Sequence, residues 1–171
     1  MAHDTAIGPF PVIVTTCLDR LVEGSARAKG EALRVIARDE AWPENAEDPL
    51  LLRLGGALDD PASLILTRSD AERRPWHADT RRVLRDLLRR QVLFFVGFRP
   101  DDEEMEILWT ELTEVHGGEL PRTYLAVPQG RIDDFLWQRW VWRGVQLFTA
   151  DPAECLAELR AALDSGPARD R

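Results

Sequence analysis

The sequence predicts an α/β fold: a three-layer, partly Rossmann-like arrangement with a parallel sheet and helices on both faces. Three observations predict it. Short β-branched or apolar runs alternate with helical stretches along the whole chain. Several of those runs are apolar at consecutive positions, as strands buried on both faces are. The connections are long enough for helical crossovers between parallel strands.

The elements follow in order. Phe10 to Thr16 (FPVIVTT) reads as a buried strand, and Asp19 to Ala28 as a helix with Leu18, Leu21 and Val22 on one side. Leu33 to Ala37 is a second strand, Trp42 to Pro49 a loop rich in proline, asparagine and acids, and Leu50 to Leu54 a third strand. A Gly55-Gly56 turn follows, then an extended piece over Ala62 to Leu66 and a brief helix over Ser69 to Arg73, capped by Thr67 or Ser69. Asp79 or Thr80 caps a longer helix through Arg90, with Val83, Leu84, Leu87 and Leu88 inward. Val92 to Phe98 (VLFFVGF) is nearly all apolar and reads as the central parallel strand. Asp101 to Val115 is a helix whose first turn carries Asp101, Asp102, Glu103 and Glu104, which suits the positive end of the helix dipole; His116-Gly117-Gly118 ends it. Arg122 to Val127 is a strand, Ile132 to Trp142 a helix, Val145 to Phe148 a strand and Pro152 to Leu163 a closing helix.

The expected organisation is an N-terminal extension over 1–9, one α/β domain over 10–163 and a tail over 164–171. With 171 residues the chain is long enough for a substantial core. A net charge of −8 argues against a non-specific nucleic-acid binder, which needs a basic face. The cluster Arg81, Arg82, Arg85, Arg89 and Arg90 reads as a solvated helix face. No apolar run reaches about 18 residues, so no membrane span is expected, and the start lacks a secretory pattern. Cys17 and Cys155 are too few for a disulfide scaffold or a four-thiolate zinc site. The expected compartment is the cytoplasm.

In open parallel sheets, ligands bind beyond the carboxyl ends of the strands. Three such ends are distinctive here: Thr15-Thr16-Cys17-Leu18-Asp19, Leu54-Gly55-Gly56-Ala57 and Val96-Gly97-Phe98-Arg99-Pro100-Asp101-Asp102. Together with Leu66-Thr67-Arg68-Ser69-Asp70, and in this order, they resemble the sirtuin-like NAD-binding family. The resemblance is closest to its bacterial branch, which hydrolyses NAD in anti-phage defence. It runs from about Pro11 to Leu163 and implies the same α/β fold.

The departures from that pattern are as informative as the matches. The position of the family's catalytic histidine is Gly55, that of its ribose-contacting asparagine Cys17, that of the next tyrosine Leu18, and that of an adenosine-side serine Arg99. The family's glycine-rich phosphate loop precedes the first matched strand by well over a hundred residues. Here only nine residues precede Phe10, with Gly8 among them. Glycine has no group to act as a general base, a loss worth a factor of roughly 10² to 10⁴ in rate, and without the loop's backbone donors a pyrophosphate lacks its main anchor. Thr15, Thr16, Cys17, Asp19, Gly55, Gly56, Gly97, Phe98, Arg99 and Asp102 therefore read as a degenerate site with no catalytic residue. No resident cofactor is expected. NAD or related-nucleotide hydrolysis stands as the alternative, with Asp59 and Asp60 the nearest substitute bases.

Other candidates are bland by comparison. Cys17 lies at a helix N-terminus, but no base adjoins it in sequence. Asp19 reads as a cap, or as a partner of Arg20 or Arg53. His3, His77 and His116 lack metal-ligand spacing, so no metal is expected. Trp137, Trp140, Trp142 and Arg143 lie in one helix, with residues 137, 140 and 141 sharing a face, and three indoles in six positions are hard to bury together. They mark a candidate interaction surface. The implied role is a binding, scaffold or regulatory module with a protein partner or further domains. An uncovered strand edge would favour a homo-oligomer.

Overall fold

Two apolar runs form sheet centres in the computed structural model of the chain, which describes residues 10–44, 48–101, 103–118 and 120–164. The fold divides in sequence into two compact units between Arg81 and Arg82.

In the first unit, Val12–Thr15 (β1), Arg34–Ala37 (β2) and Leu50–Arg53 (β3) pair in the order β1-β3-β2, every pair parallel. The middle strand must bury both faces, and Leu50, Leu51 and Leu52 are at most 1% exposed. Each contributes about 1.5–3 kcal/mol by leaving water. The helix Leu21–Ala28 (α1) follows β1 and buries Ala26. A 3₁₀ turn, Pro61–Ser63, and the helix Arg68–Arg73 (α2) follow β3. Thr67 caps α2: its hydroxyl accepts from the Asp70 amide while the Asp70 carboxylate accepts from the Thr67 amide, a reciprocal capping box.

The helix Ala78–Leu88 (α3) runs across the division between the units. In the second unit, Leu93–Phe95 (β4), Thr123–Val127 (β5) and Val145–Thr149 (β6) pair in the order β4-β5-β6, again all parallel. The middle strand is again the buried one: Leu125, Ala126 and Val127 are 0% exposed. The helices are Glu103–His116 (α4), Asp134–Trp142 (α5) and Pro152–Asp164 (α6). Met105, Leu108, Leu112 and Val115 line the buried side of α4. Trp109 meets Trp140 of α5 edge to face at 5.3 Å, and Phe95 packs beside Trp109. The Trp140 indole N–H donates to the Pro100 carbonyl at 3.0 Å, which satisfies the one polar atom of a fully buried side chain.

The α/β class and the parallel pairing are as the alternation predicts, and the strands form two three-stranded ladders. Several local expectations are corrected. The Val92 to Phe98 run contributes only Leu93–Phe95 to a sheet, at its edge, and β5 takes the centre. An apolar run reports burial rather than strand order, and Phe98 spends its ring packing edge-on against Phe95. The extended piece expected near Ala62 is the 3₁₀ turn. Neither Asp79 nor Thr80 caps α3: the helix already includes both, and the Thr80 hydroxyl donates to the Glu40 carbonyl, which is why this polar residue is fully buried. The helix after β1 starts at Leu21 rather than Asp19. Among the described residues no helix is long and apolar enough to cross a membrane.

Candidate functional site

Parallel pairing brings the carboxyl ends of β1 and β3 side by side, with Thr15 opposite Arg53 in the ladder. The Leu54 amide donates to the Thr15 carbonyl and the Leu58 amide to the Leu18 carbonyl, so the two loops leaving the strands stay joined. Thr15, Thr16, Cys17, Asp19, Gly55 and Gly56 thereby lie on adjoining strand ends and loops.

At the centre of this cluster stands a residue that the sequence offers only as a possible partner of Asp19. Arg53 is only 6% exposed although it is charged. Its guanidinium donates to three carbonyls: Asp19 at 2.7 Å, Cys17 at 2.9 Å and Gly56 at 3.0 Å. A further nitrogen reaches Glu23 of α1 at 2.6 Å, and that carboxylate is itself 9% exposed. A charge this far from water requires such saturation. The fork of Arg53 thus ties the β1–α1 loop, the glycine turn and α1 to the end of β3.

Three further side chains of the cluster, Thr15, Asp19 and Asp59, are committed to nearby partners, whereas the second carboxylate oxygen of Glu23 is buried without a hydrogen-bond partner. The Thr15 hydroxyl accepts from the Cys17 amide at 3.1 Å. The Asp19 carboxylate accepts from the Leu21 amide at 3.0 Å, one residue ahead of Arg20 at the N-cap of α1, and Arg53 takes the Asp19 carbonyl rather than its carboxylate. Asp59, a candidate substitute base, pairs with Arg20 at 2.8 Å across the two loops. That hydrogen bond holds the Asp59 carboxyl below the ordinary carboxylate range and weakens it as a proton acceptor. Cys17 is an exposed free thiol. Leucines line the rim: Leu21 is 74% and Leu58 63% exposed.

The two glycines are required for packing. A β-carbon on Gly55 would lie 2.9 Å from Leu18 Cδ2 and 3.0 Å from the Thr16 carbonyl oxygen, so a side chain there forces its neighbours to move. Gly56 has φ of 82°, and a β-carbon would fall 2.3 Å from the Ser63 carbonyl oxygen. Ser63 closes the loop, its hydroxyl donating to the Asp60 carbonyl and accepting from the Ala57 amide.

The other predicted positions lie in the second unit, beyond the end of β4. Gly97 takes a φ of 81°. Phe98 packs edge-on against Phe95 at 5.8 Å. Arg99 forms two hydrogen bonds with Asp101 and lowers that carboxyl's pKa. Asp102 lies outside the described residues. An open cleft of about 440 Å³ sits at the carboxyl ends of β5 and β6, lined by Pro128, Gln129, Thr149, Ala150, Asp151 and Glu154. Asp151 accepts from the Ala153 and Glu154 amides, so the chain's own carboxylate occupies the helix N-terminus where an anion would dock. The Asp151-Pro152 pair, a cap followed by proline at the first helical position, is the sequence signal for that end. Among the described residues no group of histidine, cysteine or carboxylate side chains could hold a metal ion.

The interaction-surface candidates divide. Trp140 is 0% exposed, so it belongs to the core and not to a surface. Arg143 stacks on the Trp140 ring at 4.6 Å and pairs with Glu106, an inward role. Trp137 is half-buried, whereas Trp142 is 82% exposed. Val141, on the same helical face as Trp137 and Trp140, is 42% exposed.

Residues 11–146 match the family model described as a SIR2-like domain. No curated protein matches the chain.

Proposed function

The chain belongs to the SIR2-like domain family, and from that membership we propose that it is a catalytically inactive member acting as a binding, scaffold or regulatory module. The observation that carries this reading is the state of the β1 and β3 strand ends. Where the resemblance expects a histidine there is Gly55, and a β-carbon at that position would fall 3.0 Å from the Thr16 carbonyl oxygen. The polar side chains around it hold the loops together: Arg53 through carbonyls and Glu23, Thr15 and Asp19 through amides, Asp59 through Arg20. A general base must have a free lone pair within hydrogen-bond reach of the proton it takes; the unpartnered buried oxygen of the cluster, Oε2 of Glu23, belongs to a carboxylate already paired with Arg53. The leucine-lined rim suits a protein surface better than a dinucleotide. The resemblance to the defence branch supports work inside a bacterial defence or signalling assembly, in the cytoplasm.

The test is incubation of the purified chain with NAD and measurement of released nicotinamide. The expected release equals that of a protein-free blank. Release that disappears in Asp59→Ala or Asp60→Ala would overturn the inactive reading in favour of hydrolysis by a substitute base.

A further inference from the structure

The outward face of α5 is apolar where a surface helix is ordinarily charged. Phe135 is 77% and Trp142 82% exposed. At 3.6 residues per turn, Phe135, Gln138 and Trp142 fall on one stripe, spaced three and four apart. Trp140 points the opposite way, into the core. Asp134 flanks the stripe on one side and Arg139 on the other. Arg139 already touches Glu106 of α4 at 2.8 Å, yet its side chain remains 43% exposed.

We propose that this stripe is a homodimer interface in which α5 packs parallel and in register against α5 of a second copy. Three features select a second copy. The positions repeat the core pattern of a parallel helix pair, Phe135 and Trp142 at one core position and Gln138 at the other. Gln138, the one polar residue of the stripe, carries both an amide donor and an acceptor, so it is satisfied by its own counterpart across a two-fold axis. Asp134 and Arg139 are five residues apart on opposite flanks. In a parallel pair that spacing sets Asp134 of one copy beside Arg139 of the other, twice by symmetry. An antiparallel pair would instead bring Arg139 to Arg139.

The area sets the expected strength. Two aromatic side chains of roughly 150–250 Å² each, on both copies, supply about half of the ~1,200 Å² at which stable interfaces begin. The dimer is therefore a small-area one, and its population depends on concentration. The inference names the partner of the binding-module reading but does not depend on it: oligomeric state and nicotinamide release are separate measurements, and either can fail alone.

Sedimentation velocity of the full chain across a micromolar concentration series tests it. The expected result is a monomer–dimer equilibrium that Trp142→Ala shifts at least tenfold toward monomer, with the thermal melt unchanged at concentrations where the wild-type chain is monomeric, because this side chain is exposed there. Asp134→Arg and Arg139→Asp chains are each expected to stay monomeric alone and to form a heterodimer on mixing, because mixing restores both charge pairs. A wild-type chain that is monomeric throughout would overturn the proposal. So would a dimer indifferent to Trp142→Ala, or charge variants that fail to complement while each retains the wild-type melt.

Discussion

Replacing Arg53 by methionine should destabilise the first unit more than any surface substitution in it. The change keeps most of the side-chain volume and removes the fork. Glu23 is then left only 9% exposed with no cation opposite it, and three carbonyls lose their shared donor. Breaking a buried ion pair from one side costs about 3–5 kcal/mol. At about 2–4 °C of melting temperature per kcal/mol for a chain of this size, the midpoint should fall by roughly 6–20 °C. Circular dichroism during heating, with a urea titration beside it, measures the change. Glu23→Met should cost a similar amount for the reciprocal reason, and the double variant should be more stable than either single one, since no charge is then stranded. Single losses below about 1 kcal/mol, or single losses that simply add in the double variant, would refute the coupled buried pair and with it the account of how these loops are held.

Two other outcomes follow from the same region and its neighbour. Gly56→Ala should cost about 1–3 kcal/mol more than Gly55→Ala in urea denaturation, because it combines a left-handed backbone with a backbone carbonyl 2.3 Å away, whereas the closest atom to Gly55 is the tip of a flexible leucine. In α2 the Thr67 and Arg73 hydrogen bonds bring Asp70 down to about 2. A depressed carboxyl stabilises the fold fully above its unfolded value near 3.8 and loses that contribution as pH falls toward 2. Asp70→Asn should therefore flatten the pH dependence of the melting midpoint between about pH 4 and pH 2, measured against the parent chain.

Much of the architecture was legible because burial on both faces leaves a continuous apolar signature, as at Leu50 to Leu52 and Leu125 to Val127. The same signature misled over Val92 to Phe98, where the apolar residues serve aromatic packing and Gly97 turns the chain away after a three-residue strand. Thr67 and Ser69 announced a helix cap locally, and the reciprocal bond of Asp70 to Thr67 is added by the structure. The 3₁₀ turn gave no such sign, since it depends on Ser63 bracing Ala57 and Asp60. At the candidate site, glycines and missing motif residues could be read directly. The role of Arg53 could not: Glu23 lies thirty positions away, and its other partners are backbone carbonyls, which no side-chain pattern reveals. The tryptophans of α5 promised a crowded face, and only the fold separated the indole that fills the core from the one that faces outward.

The buried guanidinium of Arg53 has a bearing on recognition. Where a loop gains order as a ligand arrives, the binding energy is diminished by the entropy of fixing it. Here an internal cation already holds the backbone carbonyls that a visitor would otherwise have to organise. Whatever meets the leucines at Leu21 and Leu58 meets a template set in advance. Contact there should proceed as rigid docking, with little loss of chain freedom and with specificity resting on shape.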